Sequence, residues 1–175
     1  MISADVIAKY FLSKDPDRVL FNNNVVEKNN RKFYEGNARL NKYLFLSQVV
    51  FLAKYEKKLI SDDFVAYDNG PVIKSIISNY QIISAREEQV EVPNDIKVFL
   101  DKIYDSLENA SYEELIEITH EDPEWIRLKK DTFNAPIMNI EKNIEEYKER
   151  YEGLIRALKI WTKMNFKLGK CCGLK

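Results

Sequence analysis

Histidine, cysteine, glycine and proline are all scarce in this 175-residue chain, at one, two, five and five residues. Each scarcity excludes something. With no second histidine, His120 cannot join a His-based zinc site within one chain. The two cysteines, Cys171 and Cys172, are adjacent, so they cannot staple a fold, and they lack the second Cys/His pair that zinc requires. They read as reduced thiols. So few glycines build neither a Walker loop nor a G-x-G-x-x-G cradle, and no G-x-S-x-G elbow presents a nucleophile. No catalytic, cofactor-binding or metal-binding residue is therefore assigned.

Charge and hydropathy exclude more. Basic and acidic residues nearly cancel, 27 against 28, so the basic excess by which a duplex-binding module neutralises phosphates is missing. Lys163, Lys167, Lys170 and Lys175, in a stretch with no acid after Glu152, read as a solvated tail. The longest apolar stretch, YLFLSQVVFLA, is about half the length that spans a bilayer. The opening MISADVIAKYFLSKD lacks a basic region followed by an apolar run, so it is not a signal peptide. The expected setting is the cytoplasm, with no membrane contact.

What the chain does have is helical periodicity and aromatic residues, ten of them tyrosine, enough to build a core. Ser3 caps a short helix that Asp15-Pro16 ends. Residues 17–37 are turn-rich and fit either a small hairpin or an ordered loop. Asn37 is placed as the N-cap of a long helix, ARLNKYLFLSQVVFLAKYE, whose apolar residues cover more than one stripe; such a helix belongs at the centre. Gln48 within it would be buried and need hydrogen-bond partners.

Phe64 to Tyr67 suits an extended segment and Asp68-Asn69-Gly70 a turn, with Pro71 expected at the first position of a helix through Tyr80. Residues 84–94 form a polar connection with one exposed strand in EQVEV. From Asn94, a candidate cap, Ile96, Phe99, Leu100, Ile103, Tyr104 and Leu107 mark an amphipathic helix. Ser111 and Glu114 make a capping box, and Asp122-Pro123 repeats the start signal, with Trp125 in the first turn. After Pro136 one long helix is expected. Its seam, Ile140, Ile144, Tyr147, Tyr151, Leu154, Leu158 and Trp161, keeps a 3.5-residue repeat. Glu146–Arg150, Lys148–Glu152 and Glu152–Arg156 would flank it. The seam can pack on the domain or pair with another chain, including a second copy.

His120, among Glu121, Asp122 and Glu124, invites a catalytic reading. Those acids are too close in sequence to share one face with it, and Asp122 is already a cap. A histidine at a helix C-terminus also complements the helix dipole. For nucleic acid, the helices over 38–55 and 71–80 are separated by about fifteen residues, too many for helix-turn-helix.

Three stretches in order resemble the Panacea domain of SocA-like antitoxins and phage-associated proteins. They are Leu40, Lys42, Leu44 and Gln48; then Leu59 and the F-x-A-Y/W-x-x-G-P-V signature at Phe64, Ala66, Tyr67, Gly70, Pro71 and Val72, with Tyr80 after it; then Leu115, Thr119, His120 and Trp125. The resemblance covers about residues 1–130. It departs at an Asn-rich insertion over 20–36, at Tyr67 where many members carry tryptophan, and at the extension from 137.

Periodicity and composition give a single-domain, multi-helix bundle over 1–136, a heptad helix over 137–168 and a flexible 169–175 tail. The resemblance implies that the bundle is mainly α with a small β element. It also implies a non-enzymatic antitoxin that binds a small toxin encoded nearby, in some members as an adaptor to a protease. Tyr147, Tyr151, Leu154, Leu158 and Trp161 are the candidate partner-binding residues, with residues 20–36 as another variable element. Two alternatives stand beside it: a structural or regulatory phage protein without a toxin, and an enzyme using His120 with Asp62, Asp68 or Glu121.

Overall fold

A helix that is apolar on nearly every side must be surrounded, and α2 (Glu35–Tyr55) is. The computed structural model describes residues 1–28, 30–86, 88–128 and 134–157. Around α2 pack α1 (Ala4–Lys14), α3 (Lys74–Ser84), α4 (Asn94–Leu107), α5 (Tyr112–His120) and α7 (Ile144–Arg150). Two antiparallel hairpins, β1 (Val25–Lys28) with β2 (Arg31–Tyr34) and β3 (Val65–Tyr67) with β4 (Gly70–Val72), reach α2 through β2 and β4. The architecture is mainly α, as expected. Its core is aromatic at the centre, where Tyr43 meets Phe11 and Phe21 edge-on at 5.5 and 5.2 Å between ring centroids.

Burying α2 removes water from its polar side chains as well, and those groups must find partners. Five of them tie down other segments. Gln48 Oε1 accepts the N–H groups of Leu59 (3.2 Å) and Ile60 (2.7 Å), the partners its burial demanded. Asn41 Oδ1 accepts the N–H of Ile73 at 2.9 Å. Asn37 Nδ2 donates to Ile77 O at 3.2 Å and Arg39 Nη1 to Ala110 O at 2.8 Å. Lys42 Nζ donates to the carbonyl of Asn69. The central helix thus fixes the loops around it by hydrogen bonds as well as by apolar contact.

Local start signals behave as their chemistry dictates. Ser3 accepts the N–H of Val6, Ser111 and Glu114 close a reciprocal capping box, and Asp122 Oδ1 accepts the N–H of Trp125 at 2.8 Å to open α6 (Pro123–Arg127). On α4 the whole expected face is buried: Ile96, Phe99, Leu100, Ile103, Tyr104 and Leu107.

Tertiary demands move other boundaries. The turn-rich stretch before α2 contains a hairpin, β1–β2. Helix α2 begins at Glu35 rather than after Asn37, whose amide is taken by α3. Pro71 does not open a helix. Tyr67 and Gly70 pair across a two-residue turn, Gly70 adopts φ +100°, and Pro71 lies opposite Ala66 in the strand. Helix α3 starts only at Lys74, and Asn41 supplies from α2 the acceptor for the Ile73 N–H just before it. Asn94 is the first residue of α4, behind Pro93 at the cap position. EQVEV forms no strand among the described residues; Val90 and Val92 rest against the core as irregular chain.

The segment after Pro136 departs furthest from expectation. The Ala66 N–H donates to Pro136 O at 3.0 Å and the Met138 N–H to Phe64 O at 2.8 Å, so this stretch extends the β3 edge. A 3-10 turn (Ile140–Asn143), α7 and α8 (Glu152–Ala157) follow, with α7 and α8 interrupted at Tyr151, in place of one continuous helix. The segment must first complete the sheet edge and then turn onto α2. Ile140, Tyr147 and Tyr151 are buried in the same core as α2, so this part of the seam is satisfied within the chain. Of the expected flanking pairs, Glu152–Arg156 forms at 2.5 Å. Lys148 instead bridges Glu56 and Glu145, and Arg150 goes to Glu121.

Candidate functional site

The three separated stretches of the sequence signature converge on the β3–β4 turn. From beneath, Lys42 of α2 reaches Asn69, although only 1% of its surface is exposed. From the side, Thr119 returns its hydroxyl hydrogen to Leu115 O at 2.9 Å, inside α5. Trp125 Nε1 donates to Tyr67 O at 2.8 Å, across 58 residues of chain. The His120 imidazole stacks on the Trp125 indole, centroids 4.2 Å apart and planes 15° from parallel. Gly70 fits between these groups because it has no side chain. A Cβ there would strike Lys42 Nζ and sit 3.3 Å from both His120 and Thr119.

Of the other signature residues, Leu40, Leu44, Gln48, Leu59, Phe64, Ala66, Val72, Tyr80 and Leu115 are buried. Tyr80 hydrogen-bonds the carbonyls of Phe21 (2.7 Å) and Asn22 (2.9 Å), joining α3 to the loop before β1.

The acids considered as catalytic partners for His120 have structural engagements. Asp62 Oδ2 accepts the N–H of Ala4 at 2.8 Å. Asp68 pairs with Arg31 at 2.7 Å, and Glu121 with Arg150. Asp122 is completely buried, and burial pushes its carboxyl up to about 6 against the opposing pull of the Trp125 N–H and the nearby Tyr147 hydroxyl. Neither Asp122 Oδ2 nor the Tyr147 hydroxyl has a well-aligned hydrogen bond among the described residues. Their proximity moderates the cost of burial without removing it. Glu124, also buried, accepts from the Asn139 N–H at 2.9 Å and pairs with Arg127, which holds its carboxyl below the usual range.

Beside the β3–β4 turn opens a cavity of about 210 Å³. Signature residues Lys42, Tyr67 and Val72 line one side and the β2 residues Arg31 to Tyr34 the other, with Asn37, Ala38 and Asn41 of α2 at its base. The Arg31–Asp68 ion pair links the two hairpins at its edge. Sequence reasoning singled out the signature side and offered residues 20–36, which contain Arg31, Lys32 and Phe33, as a variable element without naming single residues; it missed Asn41. The turn-rich 20–36 stretch fitted a loop as well as a hairpin.

The candidate partner residues of the C-terminal seam are placed differently. Tyr147 and Tyr151 are buried, at 0% and 4% exposure, and unavailable to a partner in this arrangement. The side chain of Leu154, together with Leu158, Trp161 and residues 169–175, lies outside the described residues.

A mainly helical domain, organised by one buried helix and a glycine-bearing hairpin on which His120 and Trp125 close, is the structural class defined here. Residues 40–126 match the family described as antitoxin SocA-like, Panacea domain; the chain carries a domain of this family. The match begins inside α2 and ends at α6, so α1, the β1–β2 hairpin and everything after α6 lie beyond it. Comparison with curated proteins and with solved structures found no match. No helix among the described residues is long and apolar enough to cross a membrane.

Proposed function

We propose that this protein is a non-enzymatic antitoxin-like module that neutralises a small toxin by binding it directly, in the cytoplasm and in a phage-associated setting. The family match over 40–126 carries this reading. The stacking of His120 on Trp125 and the hydrogen bonding of Trp125 to the hairpin support it, because both tie these residues to the fold. The binding face would lie outside the packed signature, on surface that relatives can vary without disturbing the core. The β1–β2 hairpin has that position, and it faces signature residues across the cavity it lines. Delivery of the bound toxin to a protease is a further part of the proposal, as is self-association.

Co-expression with the product of the neighbouring gene tests the reading. The two chains should elute together, and the neighbour's toxicity should disappear. Separate elution with undiminished toxicity would leave a structural or regulatory protein without a toxin as the better account.

A further inference from the structure

We infer that the cavity between the two hairpins receives one aromatic side chain from an acidic segment of a protein partner. This rests on the protein-binding reading and adds the chemistry of what is bound. The size fits: about 210 Å³ is roughly seven waters' worth of space, enough for a ring and too little for a domain surface or a helix. The walls fit as well. Phe33, Tyr34 and Tyr67 are all partly exposed, and Ala38 and Val72 present apolar surface between them. A ring inserted there meets aromatic edges and faces and leaves water, which is how central interface anchors work.

Charge selects the flanks of that ring. Arg31, Lys32 and Lys42 line the cavity against a single acid, Asp68, which pairs with Arg31, so the lining keeps a net positive charge that rests on exposed Lys32 and buried Lys42. Arg31 and Lys32 are exposed. Glu27, opposite Lys32 in the hairpin register, is not part of the lining. A partner segment with carboxylates beside its aromatic residue therefore meets a favourable field, and one with lysines beside it meets repulsion. Because β2 lies outside residues 40–126, the cavity joins family-matched residues on one side to residues beyond the match on the other.

The experiment uses the full-length, ¹⁵N-labelled protein and two probes, acetyl-Glu-Phe-Glu-amide and acetyl-Lys-Phe-Lys-amide. The expected result is saturable shifts of the Ala38, Tyr67 and Val72 amides with the acidic peptide, and binding roughly fivefold weaker for the basic one, the scale of two exposed charge pairs. Ala38→Trp fills the cavity and should abolish the shifts. The variant Lys32→Glu changes one exposed position, leaves the Arg31–Asp68 pair intact and should abolish the preference, so the test survives if Ala38→Trp fails to fold. Absence of saturable shifts, equal or tighter binding of the basic peptide, or an unchanged preference in Lys32→Glu would overturn the assignment. The peptides do not involve a toxin. Failure here leaves the antitoxin reading to its own co-expression test, and failure there leaves this one to be decided by the peptides.

Discussion

The imidazole of His120 lies nearly parallel to the indole of Trp125, 4.2 Å from centroid to centroid, at the point where α5 gives way to α6. A stack of this kind holds two helices at a fixed angle. The same indole donates to Tyr67 O at 2.8 Å, so one aromatic pair secures both the helix junction and the β3–β4 hairpin.

Replacing His120 with alanine should therefore lower the melting temperature without changing the secondary structure. The loss of the stack is worth about 0.5–1.5 kcal/mol beyond the area buried. Trp125→Phe keeps an aromatic ring but removes the donor to Tyr67, adding about 1 kcal/mol for that hydrogen bond. Thermal unfolding of the two variants measures both. An unchanged melting temperature in His120→Ala would count against a structural role.

Gly70 leads to a sharper expectation. At φ +100° an L side chain is strained, and a Cβ would collide with Lys42 Nζ. Gly70→Ala should destabilise the protein by about 1–3 kcal/mol from backbone strain alone. Pro71→Ala, at the next position of the same strand, should cost less. Comparing their denaturation midpoints separates a steric requirement from general sensitivity of the turn.

Gln48→Leu should be among the more damaging changes that keep side-chain size. It would leave two buried N–H groups, Leu59 and Ile60, without their acceptor. At about 1–3 kcal/mol for each abandoned donor, the expected loss is about 2–6 kcal/mol. Equilibrium urea unfolding gives the value directly.

Asp122 should reveal itself through pH. Its folded-state value, about 6, lies above the ordinary 3.8, so the folded protein holds an extra proton between those values. Its contribution to stability consequently falls as pH rises from about 4 to 6 and remains unfavourable above that window. Asp122→Asn can still accept the Trp125 N–H and carries no charge. The variant's stability relative to the parent should increase across the same window by up to about 3 kcal/mol. Unfolding at pH 4, 5, 6 and 7 would show this; a constant difference would refute it.

Signals with a range of three or four residues were legible in advance. The Ser3 cap, the Ser111–Glu114 box, the Asp122-Pro123 start and the buried face of α4 each depend on neighbours along the same turn, so spacing alone determines them. The demand for a partner at Gln48 was also readable, because a polar residue in the middle of a helix that is buried on most sides must find its partners inside the protein. Its partners, Leu59 and Ile60, depended on where the returning chain crosses α2. The same limit explains Pro71: its local signal favours a helix start, but pairing with β3 places it in a strand. It explains the C-terminal segment too, whose heptad spacing is real while its continuity yields to the β3 edge and to the curve around α2. The cavity is the extreme case. Lys42, Tyr67 and Arg31 belong to elements with no sequence relationship, and only the packing of both hairpins on one helix makes them neighbours. Local chemistry specifies caps, turns and apolar faces because those interactions close within one turn of chain, whereas the cavity forms where distant segments are forced to share the same buried helix.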